Sequence, residues 1–479
     1  MAIALVLRAI PASQLYDGLT PTVYAAPAAL GSGSGSTEGN ATTFTDALAN
    51  VTAGGVLGVL PGVNTGAPSG PTLDVPIFKT TNSGTPGNPI IIVGKYDHRY
   101  YYNDVARRCE IRSSAPVYPT GDANRPGIGL GDGQEYIEWR NFFLDGNYVP
   151  PSASHGMAIL AYHTKGGRFR KCAFRQATQT LTGDNRNAIF AGGCGVSQID
   201  YCYFYGGTTT TARHINNSAI TVYPGSTAGN YPDITIEHNT IEDGNSGIFI
   251  KGRSGVDDVQ GSYGRVRYNR IQDMAHVGIA HQGEDTVAGM DFYQNLLIRC
   301  AGGGFSKENG LTAATPEQYK HARIYNNTII DCVGTHYSLG SYFLRHYPAA
   351  GVSDYTFRDN IVKYSSAAGY IIISSDNNYG APNHLNMDEV FTTLDYNWYY
   401  RDGGSARFKE RSGTYVGLSA WKTQLLGAGY EQNSTESAPP FVNAAADDYR
   451  LSSADTGSST GSARGCYITG AETIGNGVN

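Results

Sequence analysis

Ile236-Glu-His-Asn239-Thr-Ile241 is followed one repeat later by Val266-Arg-Tyr-Asn269-Arg-Ile271. Both read as a large apolar residue, two variable residues, a small polar residue, one variable residue and a second large apolar one. Working outward, the polar slot of this pattern falls at Cys172, Cys202, Asn239, Asn269, Asn295, Asn327, Asn360 and Asn397, in steps of 30, 37, 30, 26, 32, 33 and 37 residues. A repeat of this size with β-type residues and variable insertions predicts a solenoid. If successive units stack as parallel strands, the slot residues lie about 4.8 Å apart. Each Asn amide then donates to the next, so a polar column inside an apolar core satisfies itself. Cys at the first two slots extends the column with a small buryable side chain.

A second strand follows each slot. Gly247-Ile-Phe-Ile-Lys251, Gly278-Ile-Ala-His-Gln282, Gly304-Phe-Ser-Lys-Glu308 and Gly369-Tyr-Ile-Ile-Ile373 share one template, which Ala219-Ile-Thr-Val-Tyr223 also fits. Period-two alternation gives each strand an inward and an outward face. With a third strand and a long loop per coil, the expected fold is all-β, a right-handed parallel β-helix solenoid with an Asn ladder, the hand following from the crossover preference. Thr43-Phe-Thr-Asp-Ala-Leu-Ala-Asn-Val51 sets Phe44, Ala47, Leu48 and Val51 on one helical face, an N-terminal capping helix. The expected organisation is an N-terminal segment with a Gly/Ser linker (1–40), the β-helix (41–400), and a C-terminal capping region and tail (401–479). Gly31 to Asn40 reads as a flexible linker, and Ser419 as the cap of a short helix holding Trp421 and Leu425.

Composition agrees. The 61 glycines in 479 residues suit a fold with three bends per coil, and only 16% of residues are charged. A net charge of −6 argues against a nucleic-acid partner, since no basic tract is available to neutralise phosphates. No apolar run is long enough to insert in a membrane. The opening Met1 to Leu7 is apolar but interrupted by Arg8, and reads as a strand or docking segment rather than a signal peptide. Seven Cys cannot form a complete disulfide framework. The stacked pairs Cys172/Cys202 and Cys300/Cys332 fall within disulfide range of each other, with buried free thiols the preferred reading.

Gly54-Gly-Val-Leu-Gly-Val-Leu-Pro-Gly62, Ser83-Gly-Thr-Pro-Gly-Asn-Pro-Ile90, the ladder coils, Pro440-Phe-Val and Asp448-Tyr-Arg-Leu451 follow one another in an order that resembles the pectate-lyase-like β-helix superfamily. The resemblance spans roughly residues 40–455. It implies a sugar chain lying across the outward face of one parallel sheet, in a superfamily that includes polysaccharide lyases, glycoside hydrolases, epimerases and phage tailspikes. The tailspikes in it imply a homotrimer or assembly into a virion through the N-terminal segment, although nothing in these residues shows a threefold interface.

The outward column of the second strands carries Tyr223, Lys251, Gln282 and Glu308, with Thr221, Phe249, Ala280 and Ser306 two residues earlier on the same face. An aromatic, a cation, an amide and a carboxylate on successive coils suit a hydroxylated ligand. Tyr223 and Phe249 are expected to face solvent. His281 and Lys307 fall where Ile250 and Val222 point inward, so the strands are expected to bend or end early and project both residues towards the loops. Those loops carry Arg253, Asp257, Asp258, Glu284 and Asp285.

Three chemistries use this set. In a lyase, Lys251 is the base that removes the proton α to a uronate carboxylate, helped by Arg253, His281 and Glu308, while Asp257, Asp258, Glu284 and Asp285 offer hard oxygen ligands for Ca²⁺. The placement of Lys251, followed one coil later by His281, is similar to the lysine and following basic residue of the chondroitinase-B and alginate-lyase family. That family's acidic residues on the lysine strand and its arginine on the next coil are absent. In a hydrolase, Glu284 and Glu308 form the acid and base pair. With neither chemistry, the chain is a structural rod that grips a surface glycan. The preferred reading is a phage-type, tailspike-like protein, in a virion or extracellular, that binds a polysaccharide through Tyr223, Phe249, Gln282 and Lys307 and depolymerises it. A secreted bacterial polysaccharide lyase and a non-catalytic virion protein are the alternatives.

Overall fold

The repeats close into stacked coils. The computed structural model describes residues 11–66, 78–113, 126–129, 134–145, 157–160, 165–175, 187–192, 196–206, 217–223, 234–251, 264–283, 290–309, 322–332, 342–345, 355–365, 370, 372–374, 391–410, 413–425, 429–452 and 464–465. Among these, strands assemble into three long sheets of 13, 12 and 11 strands. Sheet A ends at Phe391–Asp395, sheet B runs from Gly62–Gly66 to Thr435–Glu436, and sheet C from Pro126–Gly129 to Gly413–Val416. Within the coils every described strand pairs in parallel with its counterparts on the neighbouring coils. Antiparallel pairing between described strands occurs in two hairpins near the C-terminal end, besides the isolated bridges Thr85–Asn88 and Arg401–Gly404. The fold is an all-β parallel β-helix with one apolar core running from Ala25 to Leu425.

The bend between sheets A and B explains the repeat. Tyr201, His238, Tyr268, Gln294, Asn326, Asp359 and Tyr396 each turn the chain with φ between 54° and 59°. That left-handed conformation costs a non-glycine residue roughly 1 kcal/mol, and the next residue offsets it. Asn269 Nδ2 donates to Asn295 Oδ1 (3.0 Å) and to the carbonyl of Ile236 (2.9 Å). Its Oδ1 accepts from the backbone N–H (3.1 Å) and Nδ2 (3.0 Å) of Asn239. Both donors and both lone pairs are thereby used, and Asn295, Asn327 and Asn360 repeat the arrangement. Strand register extends the column to Cys109 and Phe142 before Cys172. At the other end the N–H of Asn397 donates to Ser434 Oγ (2.7 Å). Ser434 and Tyr399 both donate to Glu431, a fully buried carboxyl that burial pushes up to about 7. The five described cysteines are buried and free; Cys194 and Cys466 lie outside the described residues.

Both ends depart from the sequence expectations. The stretch 31–40 is folded in place rather than a flexible linker. Its glycines serve backbone geometry: Gly31, Gly33 and Gly35 have φ of 50°, 66° and 72°, and Gly35 exchanges backbone hydrogen bonds with Tyr24 and Asn40. Val23–Ala26, ahead of it, already pairs with Val56–Val59 of sheet A. Tyr16 is buried, and Asp17 holds Arg140 (2.9 Å) and Lys171. Residues 1–10 lie outside the described residues. The helix Phe44–Asn50 buries Phe44, Ala47 and Leu48 in the core, with Thr43 accepting the N–H of Asp46. At the far end the helix Leu418–Leu425 begins before Ser419. The Glu436 carboxylate, not Ser419, accepts the N–H of Leu418 (2.6 Å), and Trp421 stacks on Phe408 at 5.0 Å.

The tail then folds back along sheet B. Phe441 and Tyr449 cover Leu296, Ile298 and Ile330, and Arg299 pairs with Asp447 at 2.8 Å. Arg464 is buried over the Trp398 ring and donates to Thr435 Oγ1. Apolar residues on the outer face of a sheet are thus covered by the chain's own strap.

Candidate functional site

Sheet C carries the second strands of the template, and their register decides which residues meet. Ile220, Ile248, Ile279 and Phe305 align and lie in the core. Ile250, His281, Lys307 and Leu344 align in the next rung, of which Ile250 and His281 are buried. Between these lies the opposite-face rung Thr221, Phe249, Ala280, Ser306 and Phe343. Two residues further on, Lys251, Gln282, Glu308 and Arg345 align on four successive strands, and Tyr223 aligns with Gly192. The column of Lys251, Gln282 and Glu308 read from the sequence is therefore one rung of the sheet.

Two expectations are corrected. Phe249 is 0% exposed, so it offers no solvent-facing platform. It packs with Val277 and Ala280 in a cluster apart from the coil core, because apolar neighbours on the adjoining strand remove it from water. The strands also do not end before His281 or Lys307: they run Val277–Gly283 and Gly303–Asn309. His281 stays inside, 7% exposed, with its ring 5.8 Å from that of Phe292. Unlike an ammonium, an imidazole enters an apolar interior as an uncharged ring. Lys307 holds the register position between His281 and Leu344.

Arg253, Asp257, Asp258, Glu284 and Asp285 lie outside the described residues, and among the described residues no group of three His, Cys, Asp or Glu is placed to hold a metal ion. The sequence column stopped at Glu308 and missed Arg345. A signal was there, since Ser341 precedes Arg345 by four residues as Gly304 precedes Glu308. The rung thus carries a cation, an amide, a carboxylate and a second cation at about 4.8 Å intervals.

No family model matches the chain, and no curated protein matches it. Solved structures similar to it include the pectate lyase Pel9A, at 12% identity over 96% of this chain and 92% of that one, with a TM-score of 0.37. A mannuronic acid specific polysaccharide family 6 lyase from human gut microbiota is 13% identical over 84% of this chain and 90% of that one, with a TM-score of 0.42. XylC in complex with xylose is 11% identical over 79% of this chain and 83% of that one, with a TM-score of 0.40. The architecture rests on the strand registers themselves.

Proposed function

We propose that the protein binds an acidic polysaccharide along the outer face of sheet C and cleaves it by β-elimination. The observation that supports this reading is the rung Lys251, Gln282, Glu308 and Arg345, in register on four successive coils. A polymer crossing parallel strands meets one residue of the rung per coil, which matches a chain of repeating sugars better than a compact ligand. In the proposed chemistry Lys251, as the free amine, takes the proton α to a uronate carboxylate. The electrons of that C–H bond form the new C=C bond, and the glycosidic C–O bond at C4 breaks with its pair on the leaving oxygen. Arg345 offsets the charge that builds on the carboxylate, and Gln282 hydrogen-bonds sugar hydroxyls. Asp257, Asp258, Glu284 and Asp285 are the proposed ligands of Ca²⁺, a hard cation suited to the same carboxylate. Such polymers lie outside cells, so the proposal puts the protein there, on a virion or secreted.

Incubation with a panel of acidic and neutral polysaccharides tests this, with reducing ends and unsaturated sugars read separately. The expected result is unsaturated product from a polyuronate, lost on chelation. New reducing ends without unsaturation, abolished by Glu308→Gln, would make the enzyme a hydrolase instead. Binding without new ends would make it a glycan-gripping rod.

A further inference from the structure

The outer face of sheet A is a second built surface. Arg168, Gln198, Thr235, Arg265, Asp291, Arg323 and Thr356 align along one rung. Two residues on, Arg170, Asp200, Glu237, Arg267, Tyr293, Tyr325 and Arg358 align along another. Four of the six arginines are paired, with Asp200, Glu237, Asp291 and Asp359. Arg168 and Arg265 are exposed and make no ion pair among the described residues. The same rungs continue onto Glu138, Arg140 and Asp395, so the face sets seven arginines against five carboxylates, a modest positive excess on a chain whose net charge is −6. Beside it, at the bend, Tyr201, His238 and Tyr268 stack at centroid spacings of 4.7 and 4.9 Å. Arg170 lies over Tyr201 and Arg267 over Tyr268, at 5.5 and 5.4 Å. These contacts hold the guanidinium groups in place before any ligand arrives.

We infer that this face is a non-catalytic docking strip for a linear polyuronate. Two properties point there. Arginines recur along it at intervals of two or three strands, about 10–14 Å, which suits a regular linear chain. A guanidinium also matches a carboxylate with two parallel hydrogen bonds, while the half-buried tyrosines beside it offer hydroxyls to sugar oxygens. The inference takes its class of polymer from the reading above but assigns a different face, so the two fail separately.

The test is binding of polygalacturonate and of polymannuronate by affinity electrophoresis, comparing wild type, Arg168→Ala/Arg265→Ala and Lys251→Ala. The double variant is expected to weaken binding of one or both polymers about tenfold, with an unchanged melting temperature and undiminished cleavage of short oligouronates. Lys251→Ala is expected to keep binding and lose cleavage. Unchanged binding in the double variant overturns the docking strip and leaves the sheet C site standing. No binding of either polymer by the wild type overturns it too, and so does equally strong arginine-dependent retention of double-stranded DNA at the same salt, which would mean simple anion exchange.

Discussion

At the residue scale the ladder amides are the sharpest feature. Asn269 satisfies four hydrogen-bonding positions inside an apolar coil. Asn269→Leu should leave amides on both neighbouring coils unsatisfied and overfill the bend. We expect a loss of about 2–4 kcal/mol in reversible denaturation, whereas a surface position would lose less than about 0.5 kcal/mol. Glu431, where the column ends, makes stability depend on pH. Its folded carboxyl sits at about 7 against an ordinary 4.5, raised by burial, so the unfolded chain loses this proton first. Its contribution is complete below about pH 4.5, falls as pH rises from there and is gone above about pH 7, a difference of about 3 kcal/mol. Glu431→Gln should flatten that decline in denaturant titrations from pH 4.5 to 8; a wild-type curve parallel to the variant's would refute the assignment. The repeated slots were legible because one residue type recurs at one place in a pattern. Phe142 and Ser434 share the column but not the chemistry, and Cys109 has Ala106 where the pattern needs a large apolar residue, so only strand register reveals them.

At the element scale the strands of the repeat and their register could be read from alternation alone, down to the alignment of Lys251 with Gln282 and Glu308. Alternation did not show what covers a face. Phe249 was expected in solvent and is enclosed, and His281 was expected in the loops and lies against Phe292. The strap escaped reading for a related reason. Tyr449 packs on Ile298 and Ile330, well over a hundred residues earlier, and nothing local names such partners. Tyr449→Ala should release the strap locally at a cost of about 2 kcal/mol or more. Tryptic cleavage at Arg450 should then quicken by roughly an order of magnitude, with little change in the melting of the coils. A melting temperature that falls in step with cleavage would mean that strap and coils unfold as one unit.

At the scale of the whole molecule, a rod with three faces uses them differently. Sheet B is covered at Leu296, Ile298 and Ile330, and again at Thr435, by the chain's own strap. Sheet A presents arginines and stacked rings, and sheet C carries the rung proposed to act on the polymer. The solenoid was visible in the sequence because every coil repeats it. The rung on sheet C was only partly visible because it occurs once, so no repeat announces Arg345 as its fourth member. Lys251 is proposed to remove a proton from a uronate, and near-ultraviolet absorbance during incubation with a polyuronate measures that step directly. Wild type should generate the 4,5-unsaturated product steadily, and Lys251→Ala should reduce the rate by at least about a hundredfold while the protein stays folded. Unsaturated product formed at an undiminished rate by Lys251→Ala would show that another group takes the proton.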